Sequence, residues 1–209
     1  GDDLDNRIGF IAEGVSFAFA SMRETAAPVG GLAGGSAGRS WFSFDASLDE
    51  IGFVGIDTGE VEISNVENIE VEVNFGATDG SVVDYVRTQS DLGNLIGNAD
   101  TAFIDIDGGR GQFAAAALDI GLRVSDFFSI SGTVAFEAIL ERTVQLEFPG
   151  LDGKNTAQVQ GIVIGGGNLD AFAGVEGAAR IEMEDVDFSL AILRDKQPTT
   201  LGESRNWVA

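Results

Sequence analysis

The chain contains no cysteine and no histidine. Without cysteine, neither a disulfide framework nor a thiolate metal site can form. Without histidine, the usual general base and the commonest metal ligand are missing, and Ser-His-Asp or Cys-His catalysis cannot be assembled within the chain. Proline is scarce, with 3 residues in 209, and so are basic residues: 12 Lys and Arg stand against 34 Asp and Glu, a net charge of −22. That balance excludes the basic patch that nucleic acid or an anionic membrane surface requires. It favours solubility in salt and attraction of cations. No run of about 18 apolar residues occurs, so no segment reads as a membrane-spanning helix. The opening Gly1-Asp2-Asp3-Leu4-Asp5 lacks the basic and apolar regions of a signal peptide, which places any export signal outside this chain.

What the chain has is alternation. From Leu118 to Phe148 the even positions are mostly apolar (Leu118, Ile120, Leu122, Val124, Phe128, Ile130, Val134, Phe136, Leu140, Val144, Leu146), and most odd positions are polar or small. A period of two sends successive side chains to opposite faces of a sheet, and strands rarely exceed about 10 residues. The stretch therefore predicts two or three strands sharing one register, with breaks at Ser125-Asp126, Gly132 and Arg142. The same period appears at Ile8–Phe19 with a reset at Gly14, at Trp41–Ala46, at Ile51–Ile56, and at Val61–Phe75 with an interruption at 64–68. Further strands are expected at 103–106, 159–164 and, as a pair, 179–193. Turns are expected at Gly55–Gly59, Ala77–Gly80, Pro149–Lys154 and Gly165–Gly167. A Gly/Ala-rich loop covers 24–38. One short helix fits residues 82–97, capped by Ser81 or Asp79. The fold class is all-β, with long one-faced strands in a sandwich or solenoid-like wrap.

Few residues carry a chemical signal. Asp105 and Asp107, two apart and followed by Gly108, are the best cation candidates. Calcium takes six to eight oxygens, so further turn acids such as Asp57, Asp79, Asp100 and Asp152 would have to contribute. Glu60, Glu62, Glu70, Glu72, Glu182 and Glu184 alternate as a solvated strand face does, whereas a glycosidase needs two carboxylates in contrasting environments. Gly165–Gly167 is not followed by the helix N-terminus and Lys of a phosphate cradle. No catalysis and no required cofactor are expected.

The two ends of the chain echo each other. Residues 14–24, GVSFAFASMRE, match 185–195, DVDFSLAILRD, at an offset of 171, with Val15, Phe17, Ala20 and Arg23 repeated as Val186, Phe188, Ala191 and Arg194. After a loop, Arg39-Ser40-Trp41 is answered by Arg205-Asn206-Trp207, the second loop being five residues shorter. The chain thus reads as one repeat unit over 1–178 and the start of the next over 179–209. This phrase, with alternating strands and Gly-rich turns, resembles the long repeat units of giant, acidic, Cys-free bacterial surface and secreted proteins, the large repeat adhesins and RTX-like exoproteins. The resemblance is carried by residues 8–41 and 179–207. It implies an extracellular or cell-surface location, tandem neighbours of the same kind, and calcium as the ion that often stiffens such arrays. The RTX nonapeptide itself is not matched: Phe113 stands where Gly108-Gly109-Arg110-Gly111-Gln112 would need Asp, and Gly166–Asp170 lacks the third Gly.

The expected function is a non-catalytic spacer, filament or adhesin-stalk module, with neighbouring copies of the repeat as partners and self-association through edge strands. The alternative is a binding module, with an apolar sheet face for lipid or loops for carbohydrate. The parent sequence is expected to resume beyond Ala209 with alternating residues like those of 42–75.

Overall fold

The computed structural model describes residues 9–25, 38–54, 61–92, 97–98, 102–146, 155–175, 179–196 and 205–209. The turns expected at 55–59 and 149–154, and most of the Gly/Ala loop, lie outside the described residues. The strands are β1 (Gly9–Glu13), β2 (Ser16–Arg23), β3 (Ser40–Val54), β4 (Val61–Phe75), β5 (Gly97–Asn98), β6 (Ala102–Phe103), β7 (Gln112–Val124), β8 (Phe128–Leu146), β9 (Asn155–Gly174), β10 (Arg180–Asp195) and β11 (Asn206–Val208). Among the described residues one α-helix, α1, spans Tyr85–Leu92. The chain is all-β, as its alternation requires.

Among the described residues nine strands form one open antiparallel sheet. β1 and β2 lie end to end along β3, and β4, β7, β8, β9, β10 and β11 follow in order. Every connection within this sheet joins spatial neighbours, the simplest path for alternating segments joined by turns. Register sorts the side chains. Phe17, Phe44, Val73, Ala114, Ala138, Ile162 and Ile192 fall on one apolar face, and Asp45, Glu72, Ala115, Glu137 and Val163 on the other.

The segment inserted between β4 and β7 places its buried described residues over the polar face. There Tyr85, Ile104 and Ile106 pack with Phe113 and Ala20 into the main buried cluster, flanked by Ala18, Met22, Val83 and Ala115. Asn74 ties insertion to sheet: its Oδ1 accepts from Ser43 Oγ at 3.0 Å and its Nδ2 donates to Val83 O at 3.1 Å. The indole N–H of Trp41 donates to Ser81 O at 3.0 Å.

Most expected breaks are bulges. Gly14 (φ 62) separates β1 from β2. Asn68 (φ 50) sits within the shift between Glu67 and Glu70. Register slips at Gly132 and again between Ile139 and Arg142, and Ser125 (φ 53) opens the turn between β7 and β8. Four expectations are corrected. Gly165–Gly167 is no turn, because β9 runs straight through it: a Cβ at Gly166 would lie 2.3 Å from the Phe188 ring, so glycine there makes room for an aromatic side chain on β10. Residues 180–195 form one bulged strand rather than a pair. The 103–106 strand shrinks to Ala102–Phe103, paired only with β5, because Ile104 and Ile106 turn into the core. The helix cap is Asp84, whose carboxylate accepts from Arg87 N at 2.8 Å, while Asp79 accepts from Ser81 N–H and hydroxyl in the preceding turn.

Gly161 is a close-approach site. A Cβ there would lie 2.1 Å from Ile192 O and 2.9 Å from Leu193 Cα, both backbone. Gly161→Ala is expected to destabilise the protein by about 1–3 kcal/mol, read from urea midpoints. Gly52→Ala, which faces open space, is expected to stay within about 0.5 kcal/mol.

Candidate functional site

Two places concentrate interactions. The first is a hairpin clasp present twice. In the β2–β3 hairpin, Glu24 N–H donates to Arg39 O at 2.7 Å, closing the ladder. The Arg39 guanidinium returns two bonds to the Glu24 carboxylate, at 3.0 and 2.8 Å, and lies 5.4 Å from the Trp41 ring centroid. In the β10–β11 hairpin, Asp195 N–H donates to Arg205 O at 2.9 Å, the Arg205 guanidinium donates to Asp195 Oδ2 at 3.0 and 2.7 Å, and it too lies 5.4 Å from its Trp207 ring. Backbone closure, ion pair and cation–π contact recur together. The Glu24 carboxyl is held below its usual value by the Arg39 side chain first.

The correspondence extends along the strand. At the same offset of 171, Gly14 maps onto Asp185, and both have left-handed backbone, φ 62 and φ 54. A non-glycine residue in that region is uncommon, and Asp is among the residues that tolerate it. Gly9 maps onto Arg180, so the broken strand β1–β2 corresponds to β10 from end to end. Six steps separate β2 from β10 in the sheet, which leaves the two running in the same direction.

The second place is a charged network on the polar face beside the insertion. Arg110 pairs with Glu72 at 2.5 Å and with Glu137 at 3.6 Å, and its guanidinium lies 3.7 Å from the Phe113 ring centroid. Arg142 pairs with Glu137 and donates to Arg110 O at 3.2 and 3.3 Å. These ion pairs join insertion to sheet by charge where Asn74 joins them by neutral hydrogen bonds. A cavity of about 220 Å³ opens next to them, lined by Glu72, Arg110, Ala115–Ala117 and Glu137.

The predicted cation pair is divided. Asp107 accepts from Gly109 N–H at 2.8 Å and caps a single 3-10 turn, Gly108–Arg110. Asp105 instead faces Asp45 on β3, within hydrogen-bonding reach of its carboxyl. Among the described residues no group of three or more Asp or Glu side chains has the arrangement of a metal site, and the turn acids Asp57, Asp100 and Asp152 lie outside them. The Asp45–Asp105 contact had no sequence signal, since the two residues are 60 positions apart on a strand and in an irregular insertion. The clasp was half legible: its Arg-x-Trp echo shows in the sequence, and its acidic partners are the neighbours of Arg23 and Arg194.

Asp45 is pushed up to about 6, by burial first and then by the negative charges of Asp105 and Glu72. Its ordinary value is 3.8. Between those values the folded protein keeps a proton that the unfolded chain has released, so stability falls as pH rises through the window. Asp45→Asn is expected to melt higher than the parent protein at pH 7.5, with the gain gone at pH 4. Equal melting temperatures at pH 7.5 would remove the carboxyl pair as a source of strain.

No family model matches this chain, and neither the curated proteins nor the solved structures contain a match.

Proposed function

We propose that the chain is a non-catalytic repeat module of a large extracellular bacterial protein, serving as stalk, filament segment or adhesin spacer. The observation that carries this reading is the clasp built twice, with the same backbone bond, ion pair and ring contact at corresponding positions. Two amphipathic strands can resemble each other by chance; the left-handed residue at each bulge and the Arg-x-Trp beyond loops of different length are the further correspondences that support a repeat. The corresponding strands run in the same direction six steps apart in one sheet. At about 4.8 Å per strand, each unit would then add roughly 29 Å of sheet. A repeat of this kind converts residues into length, and neighbouring copies are its partners. The absence of His and Cys from the sequence and the engagement of Glu72 and Glu137 in ion pairs fit a structural role. The extracellular setting rests on the resemblance of residues 8–41 and 179–207 to repeat units of surface and secreted proteins.

The test is the parent gene. Its product is expected to carry an export signal and further copies at a spacing near 171 residues, each with an acidic residue, a loop and Arg-x-Trp. A parent with no further copy would refute the reading.

A further inference from the structure

β1–β2 lies at the edge of the sheet and, among the described strands, pairs only with β3. The short β6 runs close to β2 without entering its ladder. An open edge of this length invites another strand. The duplication identifies which one, because β10, the counterpart of β1–β2, has β11 on one side and β9 on the other. We infer that the free edge of β1–β2 is the docking site for a β9-type strand from a preceding copy of this unit, in the register that β9 adopts against β10. This rests on the repeat reading and goes further: it makes consecutive units one continuous sheet rather than separate bodies on a tether.

The register is specific. Against β9, Phe188 faces Gly166, Leu190 faces Ile164, Leu193 faces Gly161 and Asp195 faces Val159. Shifted by 171, the contacts become Phe17 with Gly166, Phe19 with Ile164, Met22 with Gly161 and Glu24 with Val159. The side chains suit these places. Gly166 leaves the space that the Phe188 ring fills, and Phe17 brings the same ring. Phe19 would extend the apolar face where Leu190 now does. The bulge at Asp185, between the stretches of β10 paired with Ala171 and with Leu169, has its counterpart at Gly14, so the edge strand bends where a β9 partner requires it to bend.

Exposure supports the missing neighbour. The Asp195 side chain, next to β9, is 2% exposed, whereas Glu24 in the same clasp is 41% exposed. Phe19 is 64% exposed, while Leu190 at the corresponding position is only partly so. Each difference has the sign that an added β9 strand would remove.

The experiment duplicates residues 9–179 within the full chain, so that Ala179 of the first copy runs directly into Gly9 of the second and no native residue is lost. Cysteines are then placed at Ile164 of the first copy and Phe19 of the second. The chain has no native cysteine, and a cross-strand pair brings Cα atoms within the roughly 4.4–6.8 Å that a disulfide spans. Mild oxidation is expected to form an intramolecular disulfide in this pair and not in Ile164→Cys with Phe17→Cys, two residues off register. In the unsubstituted duplicated chain, β2 amides of the second copy are expected to exchange on the order of a hundredfold more slowly than in the single chain. No cross-link, equal cross-linking in both registers, or β2 amides that exchange at the single-chain rate would overturn the inference. Those outcomes leave the repeat reading standing if the parent gene carries further copies, and a parent without copies refutes that reading whatever the cross-links show.

Discussion

The rest of the structure depends on the backbone ladder. Each strand of an antiparallel sheet satisfies half its N–H and C=O groups on either side, and an open sheet leaves one row unsatisfied at each end. Closure into a barrel would remove those rows. Here the sheet stays open, and its two end hairpins carry the same clasp. Repetition is the second way to complete a ladder, since each unit's last strand can pair with the next unit's first. The clasp fits that scheme: Arg39 or Arg205 fastens the hairpin end across Glu24 or Asp195, in the same way at both positions.

The packing is unusually one-sided. Of the largest fully buried side chains, Ile106 of the insertion packs on Phe113 of the sheet, and Asn74 and Ser43 bind beside them, which leaves Val159 apart. Across the opposite face Phe17, Phe42, Phe75, Phe136, Ile162, Phe188 and Ile192 are all large and all substantially exposed. No described element lies over them. A contiguous apolar face of this kind marks an interaction surface more often than a tolerated excess. The long ladders of β8, β9 and β10 therefore carry a large share of the cohesion that a two-layer protein draws from its core.

Much of this was legible in the residues, and the limits have physical causes. Period-two alternation placed the strands and their faces because a strand's side-chain direction is set by its own backbone. Gly14, Gly132 and Arg142 were readable as breaks because local phase slips there. Gly165–Gly167 misled, because three glycines look like a turn until Phe188 is known to need the space at Gly166. Ile104 and Ile106 alternate like a strand, yet a core formed with Tyr85 and Phe113, distant in sequence, draws them away from one. Asp105 and Asp107 share a local pattern but not a destination: one caps a turn and the other meets Asp45. The end-to-end echo was visible as letters, and the structure adds the left-handed residues, the paired guanidiniums and the common strand direction.

The central claim is that successive units form one sheet. The most direct measurement is the axial repeat of the parent protein by electron cryomicroscopy. A continuous sheet with six strands per unit predicts a regular spacing of roughly 29 Å at about 4.8 Å per strand. Units folded as separate bodies of the same length would be roughly 40 Å across, and a spacing at or above that value, with gaps between the bodies, would contradict the account.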